Sequence, residues 1–279
     1  MQRHAAETSS VAEDTGPRQV PLTPRVIVGH SALEALLSFL LLFGAISVTR
    51  WVMGTSPISS RVAEVQWRLV IIGLSVGLIV SLLILSRPGR ISGGHMNPAI
   101  SLAMWRFGVF PGRLLLPYFL AQFAGSVAGV AAARSAWGTA VADPPVSFGV
   151  LQPAPGWSAV GLFTVEALST GILICAIGYF LQSPRLAPLV PWLAGLLIGV
   201  AIVLLGDVTG ASMNPVRQFG PALFSGRQSL LWAYLVAPMA GAFAATSLLE
   251  ARRRHSGVLT HRLCGTQENG RLVSAHREA

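Results

Sequence analysis

The chain contains no lysine: all 20 of its basic residues are arginines, set against only 11 acidic ones in 279 residues. Charge of either sign is scarce, at 11% of residues against roughly a quarter in soluble domains. Hydrophobic residues make up 52%, and mean hydropathy is +0.61. That balance excludes a soluble enzyme of this length. Cysteine is nearly absent as well. Cys175 and Cys264 cannot build a disulfide framework, and both read as inert thiols. The first 25 residues are polar, carry Pro17, Pro21 and Pro24, and lack the apolar core that a cleavable signal peptide needs. Metal-ligand spacings, nucleophile–base arrangements and phosphate-cradling loops are all missing, so no metal, cofactor or catalytic residue is expected.

Long apolar runs are what the sequence has in abundance. Six, at about 29–52, 67–86, 112–135, 157–181, 188–206 and 228–250, can each cross a hydrocarbon layer of about 30 Å. The net charge of +9 follows their borders instead of forming a nucleic-acid footprint. With both termini inside, only Arg50, Arg61, Arg68, Arg134 and Arg227 fall outside, and Arg217 lies within the membrane. The excess of inside arginines predicts a multi-pass protein of the plasma or inner membrane with cytoplasmic termini. Arg252-Arg253-Arg254 then anchors the last span near anionic headgroups. Residues 1–28 and 251–279 read as tails, their polar ends (1–24 and 255–279) as disordered. Residues 29–250 form one membrane domain of two half-repeats, 29–135 and 157–250.

Two segments of that domain are too short and polar to span, yet share a signature: Gly93-Gly94-His95-Met96-Asn97-Pro98-Ala99 and Gly210-Ala211-Ser212-Met213-Asn214-Pro215-Val216-Arg217. Asn caps helix N-termini and Pro fits the first helical position, so each signature opens a short helix. Their surroundings repeat too. Glu34-Ala35-Leu36 sits in the first span of one half and Glu166-Ala167-Leu168 in that of the other. The third spans carry Tyr118…Gln122…Gly125…Gly129 and Tyr234…Pro238…Gly241…Ala245. Three spans per half is an odd number, so the second half is inverted and the two half-helices meet tip to tip. Broken helices in corresponding positions mark a solute site near the bilayer midplane. This is the pattern of a channel or transporter.

Paired Asn-Pro-small signatures in an inverted repeat of six spans, a Glu within the first span of each half, and Arg217 after the second signature resemble the aquaporin (major intrinsic protein) family. The resemblance covers 29–250 and implies an all-α membrane protein with six transmembrane helices, two re-entrant half-helices, a pore in each subunit and a homotetrameric assembly. Val216 replaces the family's usual Ala. Carried over residue by residue, Asn97 and Asn214 become pore donors, while Pro98, Ala99, Pro215 and Val216 form the half-helix starts. Arg217 becomes the constriction arginine. Glu34 and Glu166 hold loop backbones, and His95 ties down its loop with one edge toward the pore; Met96 and Met213 pack. Facing helix N-termini make the midplane positive, which is the known basis of ion exclusion in aquaporin-type pores.

Counting from the signatures places the family's selectivity ring at Gly77, Ile202, Ala211 and Arg217. Water-selective members carry an aromatic residue and a His in the first two positions, and glycerol facilitators carry aromatics beside the Arg; this chain has neither. With Asn-Pro-Val and Tyr234-Leu235, it is most similar to nodulin-like intrinsic proteins and their bacterial relatives. That similarity implies passive passage of glycerol, urea and neutral metalloid hydroxides such as boric, silicic or arsenous acid, with some water. A mainly water-selective aquaporin is the alternative. A proton-coupled transporter would need a titratable relay, and the second and fifth spans hold no Asp, Glu or His in their interiors. A purely structural membrane protein finds no support in the short outer loops.

Overall fold

The structure, a computed structural model, describes residues 22–252 and 257–266. In chain order its helices are α1 (Pro24–Met53), α2 (Pro57–Arg61), α3 (Val65–Leu85), α4 (Arg87–Ser92), α5 (Pro98–Arg106), α6 (Leu115–Trp137), α7 (Ala159–Phe180), α8 (Val190–Leu205), α9 (Pro215–Ser225) and α10 (Leu231–Arg252). No strand occurs among the described residues. Six of the helices (α1, α3, α6, α7, α8 with its preceding turn, and α10) are long and apolar enough to cross a membrane. Six crossings leave the start of α1 and the end of α10 on one face, here the terminal face. α5 and α9, at about 14 and 17 Å by their residue counts, reach only halfway through a layer of about 30 Å.

The first helix begins earlier than the hydrophobic run suggests. Thr23 caps it by accepting from the Val26 amide, and Pro24 occupies the first turn, so 24–28 belong to α1 and not to a tail. Proline reads as a breaker inside a helix but as a starter at its first position.

Glycine sets how the spans pair. A Cβ at Gly125 of α6 would strike the Ala35 carbonyl of α1, and one at Gly241 of α10 would strike the Ala167 carbonyl of α7. The two halves thus make the same close crossing on the residue that follows their repeated Glu. Between the halves, Gly73 and Gly77 of α3 lie against Gly199 and Gly195 of α8, where added side chains would meet backbone carbonyls. Small-residue faces allow this approach in a membrane, where packing substitutes for the hydrophobic effect. Outward faces are apolar instead of charged, with Leu74, Leu116, Leu168 and Leu204 all more than half exposed. This is the surface of an integral multi-pass membrane protein.

Candidate functional site

Both signatures cap their half-helices in the same way. Asn97 and Asn214 have extended backbones, and their side-chain oxygens accept from the amides of Ala99 (2.9 Å) and Val216 (3.1 Å), with Pro98 and Pro215 at the first helical position. The side-chain NH2 groups then reach across the junction. Asn97 Nδ2 donates to the Met213 carbonyl and Asn214 Nδ2 to the Met96 carbonyl, each at 2.9 Å. Each NH2 has two hydrogens, so this bond fixes the amide and leaves the second hydrogen free for a solute.

The loops leading into these caps are strained. Met96 (φ 50°), Met213 (φ 47°) and Ala211 (φ 52°) are left-handed without being glycine, a conformation that persists only where its surroundings enforce it. Two buried carboxylates do so. Glu34 accepts from the amides of His95 (3.1 Å) and Met96 (2.7 Å), from Ser92 Oγ (2.7 Å) and from Gln122 Nε2 (2.9 Å). Glu166 accepts from the amides of Ser212 (3.1 Å) and Met213 (2.8 Å) and from Thr209 Oγ1 (2.9 Å). Tyr118 and Tyr234 complete the matching sets, their hydroxyls donating to the carbonyls of Ser92 and Thr209.

A narrow cavity of about 60 Å³ passes the facing helix starts, with room for a short file of water molecules. One wall is polar, built from Asn97, Asn214, Ser212 and Arg217; the other is aliphatic, from Val76 and Val80 on α3 and Ile198 and Ile202 on α8. Ile202, Ala211 and Arg217 all line it. Gly77 does not. Its Cα faces the Gly195 backbone of α8, and Val76 takes the place toward the cavity. The count from the signature slips by one residue because the intervening α4 and its left-handed Gly93–Gly94 turn break the helical register. Met96 and Met213 also reach the cavity wall, beyond the packing role that their position suggested.

At the end of the cavity away from the terminal face, Arg217 Nη1 donates to the Gly149 carbonyl (2.8 Å). That carbonyl is presented by three successive left-handed residues, Ser147, Phe148 and Gly149. Gln218 pins the same loop by bonding both the amide and the carbonyl of Leu151. Nothing in the sequence of this connection marks it as a partner of the arginine.

At the other end packs a segment that sequence reading assigned to a disordered tail. Residues 257–266 lie packed in the mouth at the terminal face. The Leu259 amide donates to the Leu181 carbonyl (3.0 Å) and the Leu263 amide to the Gly93 carbonyl (2.9 Å). Val258, Leu263 and Cys264 are buried, and Leu263 lines the cavity itself. Both ring nitrogens of His95 are engaged, Nδ1 with Ser101 Oγ and Nε2 with the His261 carbonyl, each at 3.0 Å. The buried His261 ring leaves Nε2 without a partner. Burial, and then the neighbouring His95, Arg262 and His30, hold its pKa well below the usual histidine range. Short apolar residues among polar ones gave no periodic signal for this docking. The rest of the C-terminal tail, 253–256 (with Arg253 and Arg254 of the expected headgroup anchor) and 267–279, and most of the N-terminal one, 1–21, lie outside the described residues.

Comparison with known proteins matches the major intrinsic protein family over residues 27–249. The probable aquaporin NIP7-1 of Arabidopsis thaliana is 30% identical over 248 residues, covering 88% of this chain and 79% of that protein. The propanediol uptake facilitator PduF of Citrobacter freundii is 35% identical over 179 residues, covering 57% of this chain and 64% of that one. Among solved structures, the aquaglyceroporin from Plasmodium falciparum shares the fold, with a TM-score of 0.63 at 22% identity over 81% of this chain and 96% of that one.

Proposed function

The chain belongs to the major intrinsic protein family, whose members are membrane channels and not enzymes, and on that footing we propose that it passes small neutral polar solutes by passive diffusion. Glycerol, urea and the neutral hydroxides of boron, silicon or arsenic are the solutes in this reading, with water accompanying them. The observation that carries it is the wall chemistry at the Arg217 end. Val76, Ile202 and Ala211 supply only small or aliphatic surface there, beside one guanidinium. A strict water pore is narrowed by bulk and lined with polar groups that replace water's hydrogen bonds. Here a polyol can lay its carbon side on Val76, Val80, Ile198 and Ile202 while its oxygens meet Asn97, Asn214 and Arg217. The name of PduF, a facilitator of diol uptake, agrees with this class of solute. The facing N-termini of α5 and α9 and the charge of Arg217 raise the energy of cations at the centre, so neutral forms pass. In the cell the terminal face is the cytoplasmic one by its arginine excess, and the assembly is a homotetramer.

Stopped-flow light scattering on proteoliposomes, comparing water, glycerol, urea and boric acid, tests the proposal. Glycerol and boric acid permeabilities well above those of empty liposomes are expected. Water permeability alone would overturn the solute class and leave a mainly water-selective channel.

A further inference from the structure

The geometry points to a second element of this channel: we propose that residues 257–266 are a built-in plug that docks in the terminal-face mouth and keeps most, not all, copies of the pore shut at any moment. The inference rests on the channel reading above. Its starting observation is that Leu263, which lies beyond the family-matched residues 27–249, is one of the side chains lining the central cavity. A tail lying on the surface would not reach that position.

The seat is made for the segment. Two backbone bonds tie it to two different elements, Leu259 to Leu181 at the end of α7 and Leu263 to Gly93 in the first re-entrant loop. The His261 carbonyl takes up His95 Nε2, a pore-wall nitrogen otherwise free to meet a solute. The His261 ring also packs against that of Phe110, tilted to it by 43° with ring centroids 5.6 Å apart. Gly265 closes the seat. It is left-handed (φ 73°) and lies so close to the Ala187 backbone that a Cβ would collide with it.

The docking is also reversible in principle. Three buried apolar side chains, Val258, Leu263 and Cys264, favour it, and the entropy of ordering the segment opposes it. The docked and released states are therefore close enough for a modest stimulus to shift the balance. If the released state is populated about one time in ten, full release raises permeability about tenfold.

The test uses the full chain in proteoliposomes on a Cys175→Ser background, so that Cys264 alone reports docking. Cys264 is buried, 3% exposed, and should react slowly with a water-soluble maleimide. Gly265→Val should expel the segment, speed Cys264 labelling to the rate of the detergent-unfolded chain, and raise water and glycerol permeability about tenfold. Leu263→Ala removes both the obstructing side chain and one of the buried apolar contacts that favour docking, and should raise permeability and quicken Cys264 labelling. Fast Cys264 labelling in the unmodified segment, or no rise in permeability in either variant while the parent protein already conducts, overturns the plug. A rise in water flux without glycerol flux upholds the plug and overturns the solute class instead.

Discussion

The two re-entrant loops are built from the same parts and open onto different mouths. Each places a left-handed Met before a capping Asn, clamps the loop amides on a buried Glu, and anchors a loop carbonyl with a Tyr hydroxyl. They differ in what surrounds that shared frame. The first loop has Gln122 as a fourth donor to Glu34, His95 in its wall, and the segment 257–266 docked over it. The second has Pro238 where Gln122 stands, Ser212 in place of His95, and Arg217 tied to the Gly149 carbonyl. What is shared holds two helix ends at the midplane; what differs decides what passes each mouth. The repeat is a scaffold, and selectivity and closure are added to it asymmetrically.

The largest effects should come from the clamps. Glu34→Ala and Glu166→Ala each leave two buried amides unpaired, at about 1–3 kcal/mol per group. Gln122 Oε1, buried and without a partner, can turn toward the orphaned amides in the first half, whereas Pro238 offers nothing in the second. Glu166→Ala should therefore lower the thermal unfolding midpoint in detergent further than Glu34→Ala, and equal losses would erase this difference between the halves.

The paired walls of α3 and α8 give the next largest change. Gly77→Phe drives an aromatic ring into the Gly195 backbone, an overpacking cost of about 1–3 kcal/mol or more. Protein yield and every permeability should fall together. Val76→Phe projects into the cavity instead, and should cut glycerol and boric acid flux sharply while water stays within a few-fold. Permeabilities and size-exclusion profiles from one preparation of each variant separate these outcomes. A stable Gly77→Phe protein with selectively lost glycerol flux would restore Gly77 to the pore.

Arg217→Ala sharpens the contrast between the mouths. It removes the charge at one end only, and should increase cation leak under an imposed potential while neutral-solute flux is kept. An unchanged leak would assign the barrier to the helix ends alone.

The smallest effect is on pH. His261 has a folded pKa below its usual 6.5, so the docked segment favours the neutral ring. Docking is unaffected above that value and weakens as pH falls through it, by at most a factor of about ten per pH unit. The charged and titratable groups around the ring are His95 on the re-entrant loop, His30 on α1 and Arg262 on the segment itself, with Glu34 next to His95 and His30. Water permeability, and Cys264 labelling taken relative to the detergent-unfolded chain at the same pH, should both rise as pH falls from 7.5 to 5.5, and His261→Gln should flatten the response. A pH response that survives in His261→Gln would locate the titration elsewhere.

By itself the sequence determined the membrane class, the six spans, the inverted repeat and the two Asn-Pro helix starts. These rest on local signals: apolar run length, capping chemistry, and short motifs repeated at matching places. The pairing of Glu34 and Glu166 with the loops was also legible, since a carboxylate within a span must find donors. Only the tertiary structure decided which face of α3 meets the pore. One residue of helical register separates Val76 in the wall from Gly77 at the crossing, and no local signal records that rotation. It alone also brought Gly149 to Arg217 and Leu263 to the mouth. Those contacts join residues more than sixty positions apart, through backbone carbonyls that every residue carries and through an aliphatic side chain that the composition does not distinguish from lipid-facing ones.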